Sequence, residues 1–387
     1  MVRFEEISLK EFLNDYWQKN PLVIRNALPG FVNAITPDEL AGFAMEEDIE
    51  SRIVFETPNK APYWHLKRGP FLENDFSSLP ETHWTLLVQG IDRFVPEIHA
   101  LCDHFDFIPQ WRMDDVMISF AAEHGSVGPH YDNYDVFLYQ AKGGRKWTLT
   151  TQNCNESNYL AEVDLRIMRQ FEVEEVHFLE EGDMLYLPPH VGHYGISTSA
   201  ECMTYSFGYR SYQGQELWDS FADYLSQNKQ AKSLYIDPNW FPTHNSAEVP
   251  RQAWLNAKHL LLQLLEDETY IKDWFAGFVT QLDQQAEALM PQPVEDDLAI
   301  FRAEFADCEE VTRNPFCRFA YQLDDKQIRL FINGMPWDVA DVTDELVKLI
   351  ANSRVLTKEA VKVFCSKQKN EQFLHKLWQL QYIELII

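Results

Sequence analysis

The sequence predicts an α+β protein with an antiparallel β-sandwich or β-barrel at its centre. Between about residues 111 and 210, short runs rich in β-branched and aromatic residues alternate with Gly, Pro and Asn turn signals, a pattern typical of such folds. Before and after this region, apolar residues recur at helical spacing. We therefore expect a central β core over about 111–210, flanked by helical segments.

The N-terminal segment carries two helix start signals and one strand signal. Ser8 is a candidate N-cap, and Thr36 is a second one, followed by Pro37 and by acidic residues in the first turn. A short apolar strand is expected after Pro21, and a helix over about 81–106 is expected to lead into the β core.

The β core itself contains a series of strand-like runs. In chain order they read VMISFAA, DVFLYQAK, RKWTLTT, VHFLEEGDMLYLPP, HYGISTS and CMTYSFGYR. Together with the N-terminal segment they make up a predicted first domain over 1–210.

After residue 210 the pattern becomes helical, and a second domain over 211–290 is expected. The helices predicted over 215–284 carry more apolar side chains than a small helical unit is expected to bury alone. Among these are three tryptophans, Trp218, Trp254 and Trp274. We therefore expect this domain to form a two-fold homodimer interface.

The C-terminal segment, 291–387, mixes strand and helix signals. The tract MPQPVEDD over 290–297 is the best linker candidate, and Asn333-Gly334 predicts the turn of a hairpin. Helices are expected over 343–352 and 357–381. This mixture predicts a small winged-helix-like domain.

Composition narrows the class of protein. There are 60 Asp and Glu against 33 Lys and Arg, a formal net charge of −27 at pH 7, which disfavours DNA and favours basic partners. The six cysteines include no CxxC pair, so neither a disulfide framework nor a thiolate zinc site is indicated. Without an 18-residue apolar run or a signal-peptide pattern, we expect a cytoplasmic protein that does not enter a membrane.

A possible metal site begins at GPHYDNYDVF. His130 and Asp132 are two residues apart, so on an extended segment their side chains project to the same side. A ferrous oxygenase needs two His and one carboxylate on one face of the metal. The run EEGDMLYLPPHVGHYGIS offers the third ligand on another strand, with His193 as the candidate and His190 as a competitor.

These motifs together carry a family resemblance. His130-x-Asp132, the Gly-Asp-x-Leu-Tyr-x-Pro-Pro run and His193 resemble the Jumonji-C 2-oxoglutarate oxygenases, and most of all their bacterial ribosomal-oxygenase branch. The resemblance implies a double-stranded β-helix of the cupin or jelly-roll type, with Fe(II), 2-oxoglutarate and O2 as cofactor and cosubstrates. It puts the third ligand at His193, although His190 stands where the family usually has Gly.

The same resemblance implies a cosubstrate site. Its cation for the C5 carboxylate of 2-oxoglutarate falls on Arg145, and its hydroxyl donor falls on Ser119. A bidentate Arg suits a carboxylate well. The adjacent Lys146 is expected to face the other side of the strand.

The resemblance further implies a protein substrate. Relatives of the branch hydroxylate an arginine of a large-subunit ribosomal protein at its β-carbon. By similarity, Asp115, Tyr134 and Ser206 would contact the incoming arginine, and carboxylate and phenol groups suit a guanidinium.

Alternatives of other kinds stay open at this point. The same fold also serves histidine hydroxylases and lysine demethylases, although the chain shows no zinc fingers of the kind that read chromatin. A non-catalytic cupin-like binding protein would keep the barrel without the iron. Measurement of bound metal and of succinate formation separates this alternative from an oxygenase.

Overall fold

The computed structural model describes residues 1–387 except 59, 61–62, 162, 229–231, 239–245, 267, 296 and 325–326. Parts of the predicted helical domain and residue 296 of the predicted linker therefore lie outside the described residues. The chain divides into two compact units, Met1–Ser211 and Tyr212–Ile387. No helix among the described residues is long and apolar enough to cross a bilayer.

The first unit combines short helices with many strands. Its helices are α1 (Leu9–Glu11, continued by a π-turn over Phe12–Tyr16), α2 (Pro37–Phe43), α3 (Glu73–Ser77) and α4 (Pro96–Leu101). Its strands are β1 (Leu22–Ile24), β2 (Ser51–Glu56), β3 (Trp64–Arg68), β4 (Trp84–Val88), β5 (Met113–Ala121), β6 (His130–Tyr131), β7 (Val136–Lys142), β8 (Arg145–Thr150), β9 (Glu175–Leu179), β10 (Met184–Leu187), β11 (Gly192–Ser197) and β12 (Cys202–Tyr209).

These strands form two antiparallel sheets, as far as the described residues go. The larger has the order β1-β10-β7-β12-β5-β4-β2-β3, and the smaller has the order β6-β11-β8-β9. From β5 to β12 the chain passes repeatedly from one sheet to the other, for example at the short turn between β7 and β8. This alternation is a double-stranded β-helix, so the predicted fold class is confirmed.

Alternation along β7 shows how the sequence builds two cores. Phe137 and Tyr139 face a large apolar cluster shared with the N-terminal segment, including Phe12. Val136 and Leu138 face the opposite side, in a smaller cluster with residues of β8, β9 and β10. Because successive strand side chains point to opposite faces, one continuous apolar run fills both sides of the larger sheet.

The predicted N-terminal start signals are confirmed. The Ser8 hydroxyl accepts from the Glu11 amide while the Glu11 carboxylate accepts from the Ser8 amide, which is a capping box. Thr36 and Glu39 form a second one at the start of α2. The strand expected after Pro21 is β1.

The helix predicted over 81–106 is wrong. Residues Trp84–Val88 form β4, which pairs with both β2 and β5 and lies mostly buried in the larger sheet. A short apolar run can be strand or helix by periodicity alone, and here pairing on both edges decides. Gly90 then turns the chain with φ +66°, and the true helix begins only at Pro96.

The second unit is also mixed. Its helices are α5 (Gly214–Gln227), α6 (Arg251–Glu266), α7 (Glu268–Val279), α8 (Gln284–Leu289), α9 (Leu298–Asp307), α10 (Asp344–Asn352), α11 (Lys358–Lys362) and α12 (Gln368–Gln379). Its strands are β13 (Glu310–Arg313), β14 (Phe319–Asp324), β15 (Gln327–Ile332), β16 (Met335–Trp337), β17 (Val355–Thr357) and β18 (Ile383–Ile386).

The predicted hairpin of this unit is confirmed, whereas one predicted helix is not continuous. Asn333 and Gly334 join β15 to β16 with φ of +51° and +82°, the conformation that favours Asn-Gly. The helix expected over 357–381 is split into α11 and α12. The side-chain amide of the buried Asn370 donates to the Phe364 carbonyl oxygen, and this local hydrogen bond stabilises the intervening turn.

Candidate metal and cosubstrate site

Two neighbouring strands of the smaller sheet bring the histidines together. His130 of β6 and His193 of β11 are direct cross-strand partners, and their ring centroids are 4.2 Å apart. Asp132 follows β6, with its Oδ2 atom 3.6 Å from His193 Nε2. Potential ligand atoms of the three side chains all lie within 4.8 Å of one another. The predicted set is thus brought together in one place.

Backbone carbonyls fix the orientation of both imidazoles. His130 Nδ1 lies 2.9 Å from the Gly128 carbonyl oxygen, and His193 Nδ1 lies 3.0 Å from the Val191 carbonyl oxygen. A carbonyl only accepts, so each Nδ1 carries the hydrogen and each Nε2 keeps its lone pair. Such hydrogen bonds orient metal ligands in proteins.

Burial keeps His193 in the ligand-competent form. The side chain is 3% exposed, and burial, followed by the neighbouring His130, lowers the pKa of His193 to about 4. The imidazole is therefore neutral near pH 7. Two imidazoles with one carboxylate fit a ferrous ion.

His190 lies outside this donor set. It is exposed, and its amide donates to the Asp132 carbonyl oxygen at 2.8 Å. Its φ is +64°, in the left-handed region where Gly is preferred. Among the described residues, the group of potential ligands contains His193 and not His190.

A cavity of about 570 Å³ opens beside the histidines and is lined by strands of both sheets. All the predicted site residues line it: His130, Asp132, His193, Arg145, Ser119, Asp115, Tyr134 and Ser206. Alternation places them there. On β5, Asp115 and Ser119 face the cavity, while Val116 and Ile118 face the large apolar cluster.

Arg145 is a buried cation at this cavity. It is 3% exposed, and its Nε and Nη2 atoms have no hydrogen-bond partner among the described residues. Its guanidinium lies 5.5 Å from the Trp147 ring centroid. Lys146 points away, towards Phe178 on the other face, as predicted. A buried guanidinium with open donors is suited to an anionic ligand.

Ser119 lies directly across from Thr204 of β12. Its hydroxyl is 3.5 Å from the Thr204 carbonyl oxygen, a long contact at the limit of a hydrogen bond. Ser119 and Thr204 both line the cavity, so a hydroxyl group is available to a ligand there.

Asp115 and Tyr134 give another part of the cavity its acidic character. Burial, together with Asp114 and Asp92, raises the pKa of Asp115 to about 7. Its Oδ2 accepts from Gln89 Nε2 at 2.8 Å. The Asp132 carboxylate is the main cause that raises the pKa of the Tyr134 phenol well above its usual range. Burial disfavours the ionised form of such a carboxylate, and a cation that binds beside it stabilises that form.

Sequence reasoning missed two residues that line the cavity, Trp147 and Gln89. The Trp147 indole N–H is buried without a hydrogen-bond partner in the described part of the chain and lines the cavity. Its position two residues after Arg145 on a strand was a usable signal, since both share one face. Gln89, whose side-chain amide donates to Asp115 and also lines the cavity, gave no such signal.

A double-stranded β-helix that holds two His and one carboxylate beside a cavity defines the class of non-haem ferrous oxygenases. Comparison with known proteins identifies a particular family within that class. Residues 100–217 match the family described as "JmjC domain", and residues 263–384 match "ROXA-like winged helix".

Two curated relatives are bacterial. Ribosomal protein uL16 3-hydroxylase of Escherichia coli (strain K12) is 36% identical over 283 residues, which is 73% of this chain and 74% of that protein. A probable ribosomal oxygenase of Haemophilus influenzae is 41% identical over 209 residues, covering 53% of this chain and 50% of the other.

Two solved structures are similar to this chain over nearly its full length. The X-ray structure of E. coli ycfD has a TM-score of 0.86 at 30% identity and covers 99% of both chains. The same ribosomal oxygenase in complex with cobalt and 2-oxoglutarate has a TM-score of 0.82 at 30% identity, also over 99% of both chains. The chain belongs to the Jumonji-C ribosomal oxygenase family, and it is a 2-oxoglutarate-dependent oxygenase.

Proposed function

We propose that His130, Asp132 and His193 hold Fe(II) in this oxygenase. The observation that carries the proposal is the convergence of three potential ligand atoms within 4.8 Å, with both imidazoles fixed through Nδ1. Bound Fe(II) would supply the oxidation chemistry by which O2 and 2-oxoglutarate give succinate, carbon dioxide and a hydroxylated product. The protein residues hold the reactants in place and keep the site sheltered.

Arg145 and Ser119 are proposed to bind the C5 carboxylate of 2-oxoglutarate. The open Nε and Nη2 atoms of Arg145 form one edge of the guanidinium, and such an edge pairs with both oxygens of a carboxylate. Binding would also relieve the cost of a buried cation whose donors lack acceptors. Ser119 would add a hydroxyl donor from the opposite sheet.

The proposed substrate is an arginine side chain of a large-subunit ribosomal protein, hydroxylated at its β-carbon. One relative is a hydroxylase of ribosomal protein uL16. Burial and acidic neighbours disfavour the charged form of Asp115, and this carboxylate would pair with the guanidinium. Tyr134, 42% exposed, would contact the arginine from the mouth of the cavity, and Ser206 would contact it from β12. The net charge of −27 favours the approach of a basic protein.

The experiment that tests this function is incubation of the iron-loaded protein with 2-oxoglutarate and ribosomal-protein fragments. Mass spectrometry should find the mass of one added oxygen atom on an arginine, in step with succinate formation. Asp132→Ala is the matched control. An added oxygen on histidine, or loss of a methyl group from lysine, would reject the arginine assignment in favour of the alternatives named above.

A homodimer in the cytoplasm is the proposed state of the protein. Residues 211–290 are the proposed dimerisation domain, and 291–387 the winged-helix-like domain. On α6, Trp254, Leu261 and Leu265 are exposed and lie on one face of the helix. Two copies of such a face would cover each other in a two-fold interface. A cytoplasmic location follows from the proposed ribosomal substrate.

A further inference from the structure

A glutamine is joined to the Asp115 carboxylate at one wall of the cavity. The Gln89 side-chain Nε2 donates to Asp115 Oδ2 at 2.8 Å, and both residues line the cavity. Among the described residues, Asp115 Oδ1 and Gln89 Oε1 have no hydrogen-bond partner. The pair therefore keeps two acceptor oxygens for a ligand.

The chemistry of the two groups fixes the direction of their hydrogen bond. An ionised carboxylate only accepts, so the Gln89 amide must turn its nitrogen, and not its oxygen, towards Asp115. The amide oxygen is thereby kept for another donor.

The backbone on both strands that carry the pair is held in place. The Gln89 backbone N–H donates to the Glu50 carbonyl oxygen at 2.9 Å. The backbone N–H of Val116, next to Asp115, donates to Asp92 Oδ1 at 2.7 Å. Side chains that start from a fixed backbone lose less entropy when they bind a ligand.

Gln89 adds an acceptor to this wall without adding charge. Burial, followed by Asp114 and Asp92, raises the pKa of Asp115, and the hydrogen bond from Gln89 acts in the opposite direction. The amide thus stabilises the charged form of Asp115, whereas another carboxylate at position 89 would repel it. Together Gln89 and Asp115 carry one negative charge, which matches the charge of a guanidinium.

We propose that Gln89 determines specificity for arginine: its Nε2 holds Asp115, and its Oε1 accepts a hydrogen bond from the substrate guanidinium. The inference rests on the proposed arginine substrate. A guanidinium presents several N–H donors in a planar fork and can meet both open oxygens, whereas a lysine ammonium is a compact point charge. Removal of the Gln89 amide should therefore cost an arginine substrate more than a lysine one.

The test is calorimetric titration of ribosomal-protein fragments into the full-length protein loaded with Mn²⁺ and 2-oxoglutarate. One fragment contains the target arginine, and the other carries lysine in its place. Gln89→Met keeps the size of the side chain and removes the amide. It should weaken binding of the arginine fragment about tenfold, the size expected when a hydrogen bond to a charged group is lost, and change binding of the lysine fragment little.

Gln110→Met is the matched control. The Gln110 Nε2 atom also donates to an aspartate, Asp106 Oδ2, at 2.9 Å, but Gln110 is not among the residues that line the cavity. Both fragments should bind this variant with wild-type affinity.

A double variant tests whether Gln89 and Asp115 act as a pair. Gln89→Met combined with Asp115→Asn should lose less affinity for the arginine fragment than the two single losses added together, because the groups are in contact. Additive losses, an unchanged affinity in Gln89→Met, or equal losses for the arginine and lysine fragments would overturn the role of Gln89. A wild-type protein that binds both fragments equally would instead overturn the proposed arginine substrate, so the two failures are distinguishable.

Discussion

Single residues decide what this site can do, and the clearest case is the choice between two nearby histidines. His193 points its Nε2 at Asp132 from inside the barrel, whereas His190 is exposed. The two differ by three positions in sequence but lie in different environments.

Replacement of His130, Asp132 or His193 by Ala should therefore abolish 2-oxoglutarate turnover with the fold largely kept, since an open ferrous site needs all three ligands.

His190→Gly should keep activity and stabilise the protein by about 0.5–1 kcal/mol, because it relieves a left-handed φ. Succinate release and thermal melting measure both effects. Loss of turnover in His190→Gly alongside an active His193→Ala would reverse the ligand assignment.

Asp115 makes the stability of the protein depend on pH. Its pKa is raised from 3.8 to about 7 in the fold, so the unfolded chain gives up its proton first as the pH rises. The free energy of unfolding therefore falls as the pH rises from about 3.8 to about 7. Asp115→Asn cannot ionise, so its melting temperature should exceed that of the wild type above pH 7 and the difference should shrink towards pH 4.

Substrate binding should move in the opposite direction from stability in this variant. If Asp115 pairs with the arginine, Asp115→Asn should raise the KM for the ribosomal fragment and leave the KM for 2-oxoglutarate unchanged. A melting difference that does not vary between pH 4 and 8 would mean that the carboxylate is charged throughout.

Among the elements, β11 contributes more than a ligand. Gly195 of β11 lies opposite Trp147 of β8, and a Cβ atom there would come within 2.5 Å of the Trp147 ring. The strand thus needs a residue without a side chain so that the indole can lie beside Arg145.

Gly195→Ala should displace Trp147 and destabilise the protein by about 1–3 kcal/mol, the usual cost of overpacking a core. Denaturant unfolding measures the loss. Gly42→Ala is the control, since nothing lies within 4 Å of a Cβ there and Ala favours the α2 helix by about 1 kcal/mol. Equal stability of the two variants would show that the indole moves at no cost.

Elements also show where prediction from sequence succeeds and where it stops. His130, Asp132 and His193 could be found because the chemistry needs those residue types and two of them are close in sequence. Gln89, whose side-chain amide donates to Asp115, could not, because a single amide carries no signal until β4 and β5 pair. The strand at Trp84–Val88 is not predictable from the sequence for the same reason, since its pairing partners β2 and β5 lie far from it in the chain.

For the whole molecule, we expect a homodimer of about twice 45.4 kDa. Trp254→Glu combined with Leu261→Glu on α6 should give a monomer in light scattering at micromolar concentration, because charges would enter the proposed two-fold interface. Val363→Glu is the control, as Val363 is 70% exposed and lies outside the proposed dimerisation domain. A monomeric wild type would mean that α6 presents its apolar face to no second copy.

The position of the two histidines on β6 and β11 has a consequence for the order in which the chain folds. Between these two paired strands the chain runs through β7 to β10, which lie in two different sheets, so we expect β6 and β11 to pair late in folding. Closing so long a loop is a slow step dominated by chain entropy. A metal ion that binds both imidazoles can therefore stabilise only the finished barrel. We expect it to lower the rate at which the native state unfolds and to have little effect on the early steps of folding, which depend on apolar contacts.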